Sequence, residues 1–317
     1  MAKDVATPRM QCMEVWGGNS SVERSLELTG LDMWVYSRPH GGALAGGDIH
    51  YVSACGSGRI TRILVADVSG HGEQVAEVAG FLRSVIHRYV NFIDQTSLVQ
   101  RINARFCDHL GDGQFATALV ATFFAPTRLL TLSNAGHPPP LLYRERERVW
   151  EYLRAEPESG HRRLGNIPLG IAADIPYSSR SVRLEPGDLV LSYTDSLIEM
   201  GSGLSGMAGM DGLLALVQRT PMDSLQDFIP GLLKAAEAEH HVTLGDDDDV
   251  TLVLMRCTGG ASYAPFVQQV VGLGRFLRAL VSREAKAEPI PWPEWSVANM
   301  LGGMIPFFNR FWRPKPD

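Results

Sequence analysis

Several aspartates in this chain open or close apolar runs, where a carboxylate is difficult to accommodate. Asp48 follows Gly46-Gly47 and opens the run 49–54. Asp67 ends Ile63-Leu64-Val65-Ala66 and precedes Val68-Ser69-Gly70-His71-Gly72. Asp195 ends the run 189–194. Asp248 and Asp249 immediately precede the run 250–255. A carboxylate at the edge of a core is costly unless it is paired or holds a cation. No Lys or Arg lies within 67–72 or 195–206. If these carboxylates converge, a divalent cation relieves their mutual repulsion, and an all-oxygen donor set selects Mg2+ or Mn2+ over zinc. Each aspartate taken singly has a plainer reading. Asp67 and Asp195 each precede a plausible helix, where they serve as N-caps, and 246–249 reads as a solvated loop. The same placement at four strand ends favours the metal.

These positions need elements to hold them. Strand-like runs cover 31–37, 48–54, 59–68, 115–124, 129–133, 141–143, 181–184, 189–193 and 250–255, with Gly56-Ser57-Gly58 marking a hairpin. Apolar residues at helical spacing (Val75, Val78, Ala79, Leu82, Val85, Ile86, Tyr89) predict a helix over 73–90. Further helices are predicted over 97–110, 212–218 and 225–240. Strands come in blocks and helices in pairs, so the expectation is an α+β sandwich with sheets inside and helices outside. Residues 1–30 show no strong periodicity, and 17–21 reads as a loop. Charged 144–148 reads as a turn. Beyond 257 come an amphipathic stripe (Phe266, Val270, Leu273, Leu277, Leu280), a Pro-rich linker at 288–293 and an aromatic, Arg-flanked end. The domain expectation is therefore an N-terminal segment 1–30, a main domain 31–257 and an extension 258–317.

Ordered along the chain stand Gly46-Gly47-Asp48, Ala66-Asp67-Val68-Ser69-Gly70-His71-Gly72, Phe115-Ala116-Thr117, Asn134-Ala135-Gly136-His137-Pro138, Pro168-Leu169-Gly170, Tyr193-Thr194-Asp195 and Asp248-Asp249-Val250-Thr251. Any one is weak, but the ordered set resembles the metal-dependent PPM (PP2C-like) protein phosphatases, in the bacterial SpoIIE/RsbU branch. The resemblance implies a four-layer αββα sandwich and two divalent cations, Mn2+ or Mg2+, at one edge of the sheets. Carried over, Asp67 bridges both ions and the Val68 carbonyl joins it. Asp195 and Asp248 complete the set, and Asp48 binds directly or through water. Of the pair Asp248 and Asp249, the family pattern favours the first. Asp67 and Asp195 are the implied catalytic residues. The implied activity is hydrolysis of a serine/threonine phosphoprotein by metal-activated water, the substrate being a STAS-domain anti-anti-sigma factor in a partner-switching pathway. The alternative is a catalytically weak phosphoprotein-binding regulator. Two departures bear on this: Tyr51 stands where the family often has an acidic residue, and Ser196 where it usually has Gly. His71 either assists or makes a structural hydrogen bond at its turn, and His137 reads as a turn residue packed under the site.

Other chemistries find little support. The chain has 317 residues, 45% of them hydrophobic and 20% charged, as expected of a folded protein. A net charge of −6 argues against a nucleic-acid partner, which needs clustered Lys and Arg. The four cysteines are scattered, so neither a disulfide framework nor a thiolate zinc site is expected. Gly201-Ser202-Gly203-Leu204-Ser205-Gly206 matches a dinucleotide fingerprint but is separated from its strand and lacks the later acidic residue. It reads as a loop beside the site. There is no P-loop or nucleophile elbow, and adjacent His240-His241 lack zinc-ligand spacing. A polar start and the lack of about 18 consecutive apolar residues lead to the expectation of a cytoplasmic protein. Its extension packs on the main domain or on a second subunit as a homodimer, or else makes weak contact with a membrane surface.

Overall fold

Central strands of this chain are apolar on both faces because each is covered twice, once by the opposing sheet and once by helices. The computed structural model describes residue 10 and residues 15–259, apart from 56–57, 71–72, 91, 93, 110–112, 155–166, 200–208, 242 and 247. In chain order the elements are β1 (Val15–Gly18), β2 (Val22–Leu28), β3 (Leu31–Arg38), β4 (Asp48–Ala54), β5 (Ile60–Val68), α1 (Glu73–Tyr89), α2 (Gln95–Cys107), β6 (Ala116–Phe124), β7 (Leu129–Ala135), β8 (Leu141–Arg144), β9 (Val149–Tyr152), β10 (Arg180–Arg183), β11 (Leu189–Tyr193), α3 (Ser196–Glu199), α4 (Met210–Arg219), α5 (Leu225–His240) and β12 (Val250–Cys257). They form two six-stranded sheets, β1-β4-β5-β6-β7-β10 and β2-β3-β12-β11-β8-β9. Every named strand pair is antiparallel.

Strand alternation sorts side chains into layers. On β5, Ile63 and Val65 face the gap between the sheets, with Met33, Val35, Leu119, Phe123, Val253 and Met255. Leu64, Ala66 and Val68 point the other way, onto Leu82, Ile86, Leu98, Ile102 and Phe106 of α1 and α2. The second sheet is covered in the same manner, Leu191, Tyr193 and Leu252 meeting Leu213, Val217, Phe228 and Leu232 of α4 and α5. The αββα sandwich expected from the sequence is the architecture found.

Some boundaries differ. The sheets begin before residue 31: β1 and β2 are edge strands, with Leu26 and Leu28 buried between the sheets. On β2, Glu23 and Glu27 take the outer face and exposed Arg24 shares the face of Leu26 and Leu28; charge on an edge strand masks the apolar alternation. Helix α2 starts at Gln95, two residues before the expected 97, capped by Asp94, whose Oδ1 accepts from Ser97 N at 2.7 Å. β9, an edge strand half open to solvent, carries too little apolar pattern to be read from sequence. The turn expected at 144–148 is present after Arg144. The amphipathic stripe, Pro-rich linker and aromatic end lie outside the described residues, among which no helix is long and apolar enough to cross a membrane.

Two of the short motifs are turns that shape one end of the sandwich. In Asn134-Ala135-Gly136-His137, Asn134 Oδ1 accepts from His137 N at 2.8 Å and its Nδ2 donates to His137 O at 2.7 Å. Gly136 lies at φ +73°, with Pro168 directly against it. In Pro168-Leu169-Gly170, Leu169 exchanges both backbone hydrogen bonds with Ala116 (2.7 and 2.9 Å). Buried Asn103 of α2 accepts from Gly170 N at 2.9 Å and donates to Ala172 O at 2.7 Å. An alanine Cβ at 136 would lie 2.6 Å from Pro168 Cγ. Gly136→Ala is therefore expected to destabilise the fold by roughly 1–3 kcal/mol, read as a lowered urea midpoint with an unchanged m-value.

Candidate metal centre

At one end of the sandwich the two sheets present their carboxylates to a common region. Asp48 on β4 and Asp67 on β5 are direct cross-strand partners, and Asp67 is paired in turn with Thr117 on β6. Alternation places Asp67 on the same face as Ile63 and Val65, and Asp48 on the same face as Val52, so both carboxylates stand on the inter-sheet side. Like charges directly opposite one another destabilise a strand pair.

The second sheet supplies the rest. Thr194, fully buried just past β11, donates its hydroxyl to Asp48 Oδ2 at 2.8 Å. The same Oγ1 accepts from Thr251 N, and Thr194 N bonds Thr251 O, each at 3.0 Å. Asp48 is thus held across the gap by the paired ends of β11 and β12. Asp195 follows Thr194 and heads α3, its carbonyl accepting from Ile198 N (2.7 Å) and Glu199 N (2.9 Å). Asp248 lies just before β12, with Oδ1 accepting from Asp249 N at 2.8 Å.

The electrostatics show how poorly this arrangement suits bare carboxylates. Burial, and then the charges of Asp195, Asp248, Asp249 and Glu199, push the Asp67 carboxyl up to about 7. Burial and then Asp67 hold Asp48 well above the usual carboxylate range, against the lowering effect of Thr251 and Thr194. Asp195 is raised by burial and then by Glu199. Asp248 is raised by burial and by Asp195 and Asp249, while the Asp249 backbone and His40 pull the other way. Among the described residues, the ion pairs join other side chains and none of these carboxylates.

Asp249 does something different from the metal role that its sequence position also suggested. Its Oδ1 accepts from His40 N at 2.6 Å, and its Oδ2 from Gly47 N at 2.5 Å and Asp48 N at 3.2 Å. Both oxygens are therefore occupied by the backbone of the 39–48 segment. The segment wraps so closely that a Cβ on Gly46 would lie 2.4 Å from either Asp249 oxygen. A Cβ on Gly47 would lie 2.9 Å from the Val68 carbonyl oxygen and 2.8 Å from Val75 of α1. Gly47 leaves space in front of the Val68 carbonyl that a side chain there would fill. Asn19, read from sequence only as part of a loop, fastens this segment from outside. Its Nδ2 donates to Gly46 O at 2.9 Å and Ala76 O at 3.2 Å, while its carbonyl accepts from Gly46 N at 2.8 Å.

Other residues singled out from sequence fall as follows. Tyr51, three residues after Asp48, lies on the opposite face of β4 and is buried among α1 and α2, so it does not border the carboxylates. Ser196 is buried with its Oγ 3.5 Å from Thr194 Oγ1. His137 is buried beneath the row, its Nδ1 2.9 Å from Thr117 Oγ1, and burial depresses its basicity to about 3. It is a neutral support, as a packed turn residue would be. His71 and 201–206 lie outside the described residues. Glu199 was not anticipated. Its spacing of four from Asp195, one helical turn, is the signal that could have found it.

The donor set is entirely oxygen, which suits a hard divalent cation. Among the described residues no group of three His, Cys, Asp or Glu side chains closes on a single point.

Comparison with known proteins identifies the family and the fold. A family model, Stage II sporulation protein E (SpoIIE), matches residues 57–258. The phosphoserine phosphatase RsbU of Bacillus subtilis is 23% identical over 199 residues, covering 61% of this chain and 55% of its own length. The structure of the RsbU and RsbW domains of a Mycobacterium tuberculosis protein superposes with a TM-score of 0.60 at 26% identity, covering 76% of this chain and 64% of that one. The PP2C phosphatase domain of Bacillus subtilis SpoIIE, with a fragment of its regulatory domain, gives a TM-score of 0.58 at 16% identity, covering 78% and 64%. This chain therefore spans about half the length of the curated relative and two thirds or less of these two structures. With the matched segment running through both sheets and all the carboxylates but Asp48, the chain belongs to the SpoIIE family and has the PP2C fold.

Proposed function

We propose that this chain is a Mn2+- or Mg2+-dependent phosphatase that hydrolyses phosphoserine or phosphothreonine on a protein. The observation that carries the reading is that Asp48, Asp67, Asp195 and Asp248, drawn from two sheets, raise one another's proton affinity at one rim, with no Lys or Arg in an ion pair with them among the described residues. Two divalent cations, when bound, supply charge to offset the phosphate and a water acidified enough to attack phosphorus. Asp67 would be the carboxylate common to both ions, a role supported by its pairing with Asp48 across the strands and by the fields of Asp195 and Asp248 upon it. The Val68 carbonyl, kept open by Gly47, adds a neutral oxygen. Thr194 fixes the orientation of Asp48, and Asp248 rather than Asp249 serves as ligand, because the Asp249 oxygens are already engaged. His137, neutral and bonded to Thr117, supports the floor and carries no proton in the reaction.

The likeness to a phosphoserine phosphatase and to a structure that joins RsbU and RsbW domains supports a regulatory phosphoprotein as substrate. A phosphoserine STAS-domain protein in a partner-switching pathway is the class we assign. Homodimer formation and surface contact with a membrane would fall to the extension beyond residue 259.

Three outcomes test this reading. Hydrolysis of p-nitrophenyl phosphate is expected to require Mn2+ and to fall by roughly 10²–10³-fold in Asp67→Asn. Mn2+ binding without turnover of p-nitrophenyl phosphate or a phosphoserine protein would instead indicate a phosphoprotein-binding regulator. The second outcome concerns the metal-free protein. The Asp67 carboxyl titrates near 7 when folded and near 3.9 when unfolded, so its charged form is disfavoured by folding. That cost is full above about pH 7 and vanishes as pH falls towards 4. Metal-free Asp67→Asn should thus be more stable than wild type at pH 8, by about 2–4 kcal/mol, with the gap closing on acidification. Saturating Mn2+ should stabilise only the wild type. Third, Asp249→Ala should lower the metal-free Tm, because it strands three backbone donors at about 1–3 kcal/mol each. Asp248→Ala strands only the Asp249 N–H and relieves like charge at the rim, so it should lower the Tm less than Asp249→Ala does, and should weaken Mn2+ binding measured by calorimetry.

A further inference from the structure

Gly46 and Gly47 lead into Asp48, and each of their backbone polar groups has a partner. Gly47 N is held by Asp249, and Gly47 O accepts from Val68 N at 3.3 Å. Both groups of Gly46 belong to Asn19. Gly46 N donates to Asn19 O at 2.8 Å, and Gly46 O accepts from Asn19 Nδ2 at 2.9 Å. The same Nδ2 donates to Ala76 O, in the first turn of α1, at 3.2 Å. A side-chain amide has two N–H groups, so one goes to the glycine segment and the other to the helix. Asn19 lies in the turn between β1 and β2, which belong to different sheets. Gly18 is paired with His50, which sets this turn alongside the start of β4. Asn19 therefore clasps three pieces of chain at the carboxylate end of the sandwich: the crossing between sheets, the glycine segment and α1. The fit is close. Gly47 lies tight between the Val68 carbonyl oxygen and Val75 of α1, so the segment has little room to move without crowding that oxygen.

We propose that Asn19 is a positioning residue of the metal centre, fixing through Gly46 and Gly47 the placement of Asp48 and the clear space before the Val68 carbonyl. The inference rests on the metal-dependent reading and adds to it a residue that is not itself a ligand. Asn19 is half-buried, so its removal lets water reach the two carbonyls it held, and the fold loses little. A water in its place satisfies those carbonyls without fixing the distance between the glycine segment and α1. The loss therefore falls on the metal centre rather than on the core.

The test uses the full chain as wild type, Asn19→Ala and Asn19→Asp, with Mn2+ alone as the probe. Calorimetry well below the Tm of each protein gives the Mn2+ Kd, and thermal unfolding without metal gives the Tm. Asn19→Ala should raise the Kd by about 10–100-fold, as removal of outer-shell partners does, while lowering the metal-free Tm less than Asp249→Ala. Asn19→Asp keeps the size of the side chain but turns an acceptor toward two carbonyls and adds negative charge. Charge alone would tighten Mn2+ binding, whereas the positioning role requires that this variant also bind more weakly. Either variant suffices if it alone folds. An unchanged Kd in Asn19→Ala, or a Kd in Asn19→Asp equal to or below that of wild type, overturns the role of Asn19 and leaves the metal centre standing. Failure of both variants to fold also overturns it, since the clasp would then be a requirement of the fold. Wild type that binds no Mn2+ defeats the metal-dependent reading itself, and the role of Asn19 falls with it.

Discussion

Like charge held against like charge is the constraint around which this end of the molecule is built. Asp48 and Asp67 face one another across adjacent strands, and Asp195 and Asp248 add their fields from the other sheet. No fold gains stability from such a cluster on its own account. The surroundings accordingly make the cluster tolerable without neutralising it. Thr194 offers Asp48 a hydroxyl, and three extensive apolar layers keep the strands in place regardless of what happens at their ends. Stability resides in the layers, and the unfavourable charge is confined to the rim.

The two-sheet design matters because neither sheet holds the carboxylates alone. β4 and β5 contribute one pair, and the segments following β11 and preceding β12 contribute the other. Geometry at the rim therefore depends on how the inter-sheet layer is packed. Direct polar ties reinforce that packing: Thr194 to Asp48, and Asp249 to the backbone of Gly47 and Asp48. Each tie crosses from one sheet to the other within a few residues of a carboxylate. A shift of one sheet on the other would be felt at the site before it was felt in the core.

Much of this was legible in the sequence, for identifiable reasons. Central strands buried on both faces leave continuous apolar runs, and an aspartate interrupting the end of such a run is conspicuous. Asp67 after Ile63-Leu64-Val65-Ala66 is the clearest case, and helix α5 has the bounds expected of it. What escaped detection was whatever sits at an edge or works through the backbone. β1, β2 and β9 are half-exposed edge strands: β1 is four residues ending in two glycines, β2 is diluted by Glu23, Arg24 and Glu27, and β9 is four residues long. Asp248 and Asp249 are neighbours of identical type, and spacing alone could not separate an open carboxylate from one already occupied by three backbone N–H groups. Tyr51 was weighed as a neighbour of the site by counting residues, whereas a strand turns every odd step to the opposite face. Asn19 acts across 27 residues on Gly46 O, a relation without any local signature.

The close fit of Gly46 on Asp249 also bears on how this protein can change over time. Any side chain at 46 collides with the carboxylate that organises the segment, and loss of that carboxylate frees the space but releases the backbone N–H groups it held. The two positions, 203 apart in the chain, are thereby epistatic: a substitution tolerated at one depends on the residue at the other, and their effects should not add. A drifting lineage would find single steps at either position closed, and only a coordinated double replacement, with a new anchor for the segment, would open the path.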